Sequence, residues 1–162
     1  MKSILISIKP EWVAKILNRE KIVEIRKTIP KCDLPINVYI YCTKGKPRIV
    51  DLRDDAFYLG CSPRLNGKVV AKFTLNKISD SDKTNCCVGS CLTYDEIMRY
   101  TKGKKFYAWH IDNLEIFDKP KELSEFCYYS IVKNNLYIHG EFPLKTYLTK
   151  APQSWCYVEV LK

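Results

Sequence analysis

The chain of 162 residues is 46% hydrophobic and 28% charged, with 11 tyrosines, 6 phenylalanines and 3 tryptophans, enough apolar surface for the ordered core of a single domain over 1–162, which excludes wholesale disorder. Lysine and arginine number 27 against 18 aspartates and glutamates, a formal +9 that favours a polyanionic partner through counterion release, although charge of this kind also simply keeps a small protein soluble. No apolar run approaches the roughly 18 residues that span a bilayer, and the N-terminal stretch lacks the apolar region and cleavage site of a signal peptide, so a cytoplasmic protein with no membrane partner is expected.

Residues 2–8 alternate as a strand with Ile4, Ile6 and Ile8 on one side, and Lys9-Pro10 ends it and opens a helix over 10–19. Trp12, Val13, Ile16 and Leu17 recur at helical spacing as a buried stripe, which makes Trp12 core, and Asn18 stands where a left-handed terminating residue is expected. From Lys21 to Lys27 the period becomes two: Glu24 and Arg26 share one face, and Lys21 joins them only if it lies in the turn before the strand. Residues 36–43 are the clearest strand; the basic turn Lys44-Gly45-Lys46-Pro47-Arg48 follows, a candidate phosphate-contacting loop.

Residues 49–66 read as irregular, and Asn66-Gly67 turns into a strand from Lys68 to Ile78. Residues 79–91 read as loop. Thr93 with Glu96 three residues on has the spacing of a capping box opening a helix to Tyr100, which Lys102-Gly103-Lys104-Lys105 breaks. Phe106 to Phe117 reads as one long extended segment, with a helical turn near Glu122-Leu123, and Ser154 to Leu161 closes the chain as a strand. Residues 127–150 are the least readable and have the character of an insertion. With no βαβ alternation, the order predicts an α+β protein, a small mixed β-barrel with helices packed on the outside.

The cysteines Cys32, Cys42, Cys61, Cys127 and Cys156 are scattered among apolar neighbours and read as free thiols. Cys86-Cys87 with Cys91 is the single dense cluster, but it lacks paired C-x-x-C spacing and nearby histidines, so no metal and no cofactor are expected. A lysine, a glutamate and an arginine at 21, 24 and 26 admit two readings. Either Glu24 pairs with Arg26 or Lys21 and anchors the turn, or the cations hold phosphate while Glu24 accepts from a base amino group or a ribose hydroxyl. Tyr41 and Trp109 are candidates for stacking on exposed bases. His110, with Thr43 and Ser154 as hydroxyls, keeps an acid–base role open, although no spacing assembles a nucleophile, a base and an orienting group.

Ser7-Ile8-Lys9-Pro10, the amphipathic helix, and Asn18-Arg19-Glu20-Lys21-Ile22-Val23-Glu24-Ile25-Arg26 together resemble the ASCH signature G-x-K-x-x-E-x-R. Counted strictly from Lys21 the glycine position falls on Arg19; in a G-x-x-K form it falls on Asn18. Gly67-Lys68-Val69-Val70-Ala71, Tyr107-Ala108-Trp109-His110 and Ala151-Pro152-Gln153-Ser154-Trp155 are similar to segments of small phage and bacterial members of the family. The resemblance implies a PUA-like barrel with a cleft beside the first helix that binds RNA or modified nucleosides. One branch of the family hydrolyses an acylated cytidine with a lysine, a threonine three residues later and a glutamate on a following strand. Lys21 matches the lysine, but Glu24 stands at the threonine position and the glutamate falls near Lys72, so those roles are not reproduced. Other members are ribonucleases.

The expectation is therefore an RNA- or nucleotide-binding domain with a basic cleft, using Lys9, Lys21, Glu24, Arg26, Tyr41, Thr43, Lys44, Lys46 and Trp109. The alternative is a hydrolase of RNA or a modified nucleoside with Lys21, Glu24 or His110 as catalytic candidates. A third class is an interaction module for an acidic protein.

Overall fold

The computed structural model describes residues 1–49, 64–80, 87–129 and 146–160. Strand β1 (Lys2–Ile8), helix α1 (Pro10–Leu17), β2 (Val23–Arg26), β3 (Ile36–Cys42), β4 (Val69–Leu75), β5 (Ile78–Asp80), α2 (Tyr94–Thr101), β6 (Tyr107–His110), β7 (Asp112–Lys121), β8 (Phe126–Tyr128) and β9 (Trp155–Val160) follow in order. They form a six-stranded sheet, β7-β4-β3-β1-β9-β8, and a three-stranded sheet, β2-β6-β5. The β1–β3 pair is parallel and the other pairs are antiparallel.

The α+β class expected from the sequence holds, but the closed barrel does not: among the described residues no strand ladder joins the two sheets or the β7 and β8 edges. The physical reason lies in two breaks that the period-two pattern hides. The run 68–78 divides between β4 and β5, and the run 106–117 divides between β6 and β7, each pair split across the two sheets. Asn113, at φ 47, adopts a left-handed conformation at the start of β7.

Both faces of β1 are covered, which is why Ser3 to Ile8 are all buried. Ile4, Ile6 and Ile8 meet Val13 and Ile16 of α1 in the main core, while Leu5 joins Tyr41, Val69, Phe126, Leu148 and Val158 in a second one. A third cluster packs Val23 and Ile25 of β2 on Ile97 of α2, with Phe106 and Ala108. The strand therefore buries its apolar parity beneath α2 and turns Glu24 and Arg26 the other way, the alternation a strand imposes. The capping box is present: Glu96 N–H donates to the Thr93 hydroxyl at 3.3 Å and Thr93 N–H to Glu96 Oε2 at 2.8 Å.

No helix among the described residues is long and apolar enough to cross a membrane. Cys32, Cys42, Cys87, Cys91, Cys127 and Cys156 are free thiols, and burial pushes the Cys42 and Cys156 thiols up to about 11. Cys61 and Cys86 lie outside the described residues, as do most of 49–66 and of 127–150.

Candidate functional site: a cleft floored by a buried lysine, glutamate and arginine

A cleft of about 710 Å³ opens between the two helices. Its wall on one side is the end of β1 and the first turn of α1, with Ser7, Lys9, Glu11 and Trp12; on the other it is α2, with Glu96, Arg99 and Tyr100. Thr43 after β3, and Gln153 and Ser154 before β9, close the ends, while Lys21, Glu24 and Arg26 form the floor.

The floor is set by how α1 hands over to β2. Asn18 remains right-handed and Arg19, at φ 62, takes the left-handed conformation, so the reversal occurs one residue later than expected. This is the glycine position of the signature when it is counted strictly from Lys21. The amides of Glu20 and Lys21 then both donate to the Lys15 carbonyl, at 2.9 and 3.1 Å, and those of Ile22 and Val23 to the Gly89 carbonyl, at 2.7 and 3.0 Å. Lys21 is thereby held in the turn ahead of β2, its side chain pointing to the same place as Glu24 and Arg26.

Lys21 Nζ donates to the Ser90 carbonyl at 2.6 Å, lies 3.2 Å from Glu24 Oε2 and sits 5.5 Å from the Trp12 ring centroid. Arg26 Nη2 reaches Glu24 Oε1 at 2.9 Å and the Ser7 carbonyl at 2.8 Å, and its Nη1 donates to Ser154 Oγ at 3.2 Å. Ser154 is itself placed by Ser7, whose amide donates to the Ser154 carbonyl at 2.9 Å and whose hydroxyl donates to the Pro152 carbonyl at 2.6 Å. The Lys21, Glu24 and Arg26 side chains are only 1%, 10% and 7% exposed, and charges so far from water persist only when paired and hydrogen-bonded. Arg26 Nε, also buried, has no acceptor among the described residues.

Lys9, Lys21, Glu24, Arg26 and Thr43 are thus brought together, and the other candidates are not. Trp109 has no exposure and packs against Trp155 with ring centroids 5.6 Å apart, so it is core and cannot stack a base. Tyr41 is likewise buried, because β3 lies inside the sheet between β1 and β4 with both faces covered; burial raises the pKa of its hydroxyl. Lys44 and Lys46 are exposed but outside the cleft lining, in a loop that Asn66 organises by donating to the Gly45 and Pro47 carbonyls, both at 3.0 Å. His110 Nε2 lies 2.8 Å from Ser79 Oγ, away from the cleft, which withdraws it from chemistry there. Lys72 pairs with Glu115 at 3.0 Å across the β4–β7 ladder, also outside the cleft.

Trp12, expected in the core, packs against the main core but is only half-buried, and it also lines the cleft wall. Nor is the lining simply basic: Lys9, Lys21, Arg26 and Arg99 face Glu11, Glu24 and Glu96. The residues the sequence reading missed are the carbonyls of Gly89 and Ser90, which carry no side-chain signal, and the α2 wall. That wall had a signal, since Glu96, Arg99 and Tyr100 fall at i, i+3 and i+4 on one polar face. Among the described residues no three histidines, cysteines or carboxylates cluster as a metal site, and Cys91 Sγ instead contacts the Glu20 carbonyl at 3.4 Å.

No protein-family profile and no curated protein sequence matches the chain. Solved structures do. The ASCH protein of Zymomonas mobilis superposes with a TM-score of 0.61 at 21% identity, over 97% of this chain and 87% of that one. One point mutant of it matches with a TM-score of 0.61 at 20% identity over 97% and 88% of the two chains, and another with 0.54 at 21% over 76% and 77%. The polypeptide that places Lys21, Glu24 and Arg26 at the floor of this cleft has the fold of the ASCH domain structures.

Proposed function

We propose that the chain is an ASCH-family protein whose cleft binds RNA, taking a nucleotide between α1 and α2. The observation that carries this reading is the floor. Two cations and one carboxylate, buried and mutually paired, keep a net positive charge beneath an opening whose volume falls in the range of about 300–1,000 Å³ typical of small-ligand sites. Lys21 and Glu24 still have unused hydrogen-bonding capacity, and Arg26 Nε lacks an acceptor; an unmet buried donor of this kind costs about 1–3 kcal/mol, which a ligand acceptor would remove. Lys9 and Arg99 at the rim attract phosphate, and Trp12 and Tyr100 on opposing walls offer aromatic surface for a base. A PUA-like architecture, a cytoplasmic location and one domain over 1–162 accompany this reading.

The test is fluorescence anisotropy of a short labelled single-stranded RNA across a salt series, with Lys9→Ala/Arg99→Ala as the cleft variant because both side chains are exposed and their loss spares the core. Salt-sensitive binding that the variant weakens tenfold or more, with the RNA recovered intact, is expected. No binding at low salt overturns the proposal. Cleavage lost in the variant would favour the hydrolase, for which position 24 provides a carboxylate in place of a hydroxyl and His110 lies outside the cleft.

A further inference from the structure

The cleft continues into a second surface that no cleft contact requires. Arg26, on the floor, is followed by Lys27 as β2 ends, and Arg26 pairs in register with Tyr107 at the start of β6. That register brings the turn 102–105, which enters β6, to the same rim. The turn is well defined: Lys102 and Gly103 adopt φ 55 and φ 68, Gly103 N–H donates to the Met98 carbonyl at 3.0 Å and Lys104 N–H to the Thr101 carbonyl at 3.2 Å. Lys27, Lys102, Lys104 and Lys105 are all exposed. Two rings lie among them: Lys27 Nζ is 4.6 Å from the Tyr100 ring, which also lines the cleft, and Lys105 Nζ is 5.2 Å from the Tyr107 ring.

Lysines after a helix also complement its C-terminal dipole, but that effect fades within the last turn and needs neither Lys27 nor the rings. Asp80 pairs with Lys105 at 3.4 Å, whereas no ion pair among the described residues engages Lys27, Lys102 or Lys104. Ammonium groups interleaved with aromatic faces and leading out of a nucleotide-sized cleft match the way single strands are held, backbone on lysines and bases on rings.

Resting on the cleft reading above, we infer that the ligand is a polymer: a single strand of RNA leaves the cleft past Tyr100 and lays its phosphates along Lys27, Lys102 and Lys104. The experiment compares a nucleoside monophosphate, an oligoribonucleotide of about 4 nucleotides and one of about 12, both within the roughly 4–16 nucleotides of known single-strand sites. Each is measured on the wild type, on Lys27→Gln/Lys102→Gln/Lys104→Gln and on the cleft variant Lys9→Ala/Arg99→Ala, with thermal melts to show that each variant folds.

The expected result is affinity that rises with length. In the lysine variant the long strand loses roughly tenfold to a hundredfold at low salt, and the slope of log affinity against log salt falls by about 2, at about 0.7 for each phosphate contact. The monophosphate is unaffected by that variant. Affinity independent of length, or a long strand indifferent to the lysine variant, overturns the track and leaves the cleft reading standing where the monophosphate still binds and the cleft variant weakens it. Long-strand binding that responds to the lysines but not to the cleft variant supports the track and sinks the cleft reading. If none of the ligands binds, both fall.

Discussion

Arg19 has the left-handed conformation, φ 62, at the point where α1 gives way to the turn carrying Lys21. A side chain with a Cβ is strained there by about 1–2 kcal/mol, while a glycine is not but loses more freedom on folding. Arg19→Gly is therefore expected to raise stability by up to about 1 kcal/mol and to leave the proposed RNA binding unchanged, read as an increase in the chemical-denaturation midpoint. Glu24 behaves in the opposite way. Its carboxylate separates two buried cations, and removing one member of a buried ionic network costs about 3–5 kcal/mol because the remaining charges lose their partner. Glu24→Ala is expected to lower the melting temperature sharply, and a variant that melts with the wild type would show that Lys21 and Arg26 find other partners.

At the scale of elements, the segment 87–92 ties α2 to the floor. Its carbonyls at Gly89 and Ser90 receive Ile22, Val23 and Lys21, and Gly89 itself sits at φ +79 with the position of an added Cβ only 2.6 Å from Ile22 Cγ1. Gly89→Ala meets both a conformational and a steric penalty, about 1–3 kcal/mol together, and displaces the acceptor of Lys21. The expected outcome is a destabilised protein in which the proposed RNA binding is weakened; a variant with wild-type melting and affinity would refute the tie.

Helix α2 itself depends on its capping box, which has a pH signature. The Thr93 amide, and then the Thr93 hydroxyl, hold the Glu96 carboxyl below its ordinary 4.5. The folded-state value is thus below the unfolded one, so the cap's contribution is present above about pH 4.5 and is lost as pH falls through the folded value. Thr93→Ala is expected to move the Glu96 midpoint upward in a side-chain NMR titration and to cost about 1 kcal/mol of stability.

For the whole molecule, the site depends on β1 pairing with β9. Strand β9 lies between β1 and β8, and the residues ahead of it bind Ser7 and Arg26. Deleting residues 151–162 exposes one edge of β1 along its pairs from Lys2–Glu159 to Ile6–Trp155 and removes Val158 from the second core. The truncated chain is expected to lose its cooperative thermal transition by circular dichroism rather than keep a folded domain lacking only the site.

Much of the fold and part of the site were legible because they rest on local periodicity. The alternation of Ile4, Ile6 and Ile8, the helical repeat of Val13 and Ile16, the capping pair Thr93 and Glu96, and the shared parity of Glu24 and Arg26 follow from the 2.0 and 3.6 repeats of strand and helix, which any chain obeys before it packs. Tertiary structure alone decided which alternating segments share a sheet, since period two is the same for β4 and β5 or β6 and β7 on either side of a break. It also decided which aromatic borders the cleft: Trp109, on β6, is fully buried in the main core, whereas Trp12 stands half-buried on the cleft wall. Finally, it joined Lys21 to Ser90 and Arg26 to Ser154, contacts that span 69 and 128 positions of the chain and have no counterpart in its local pattern.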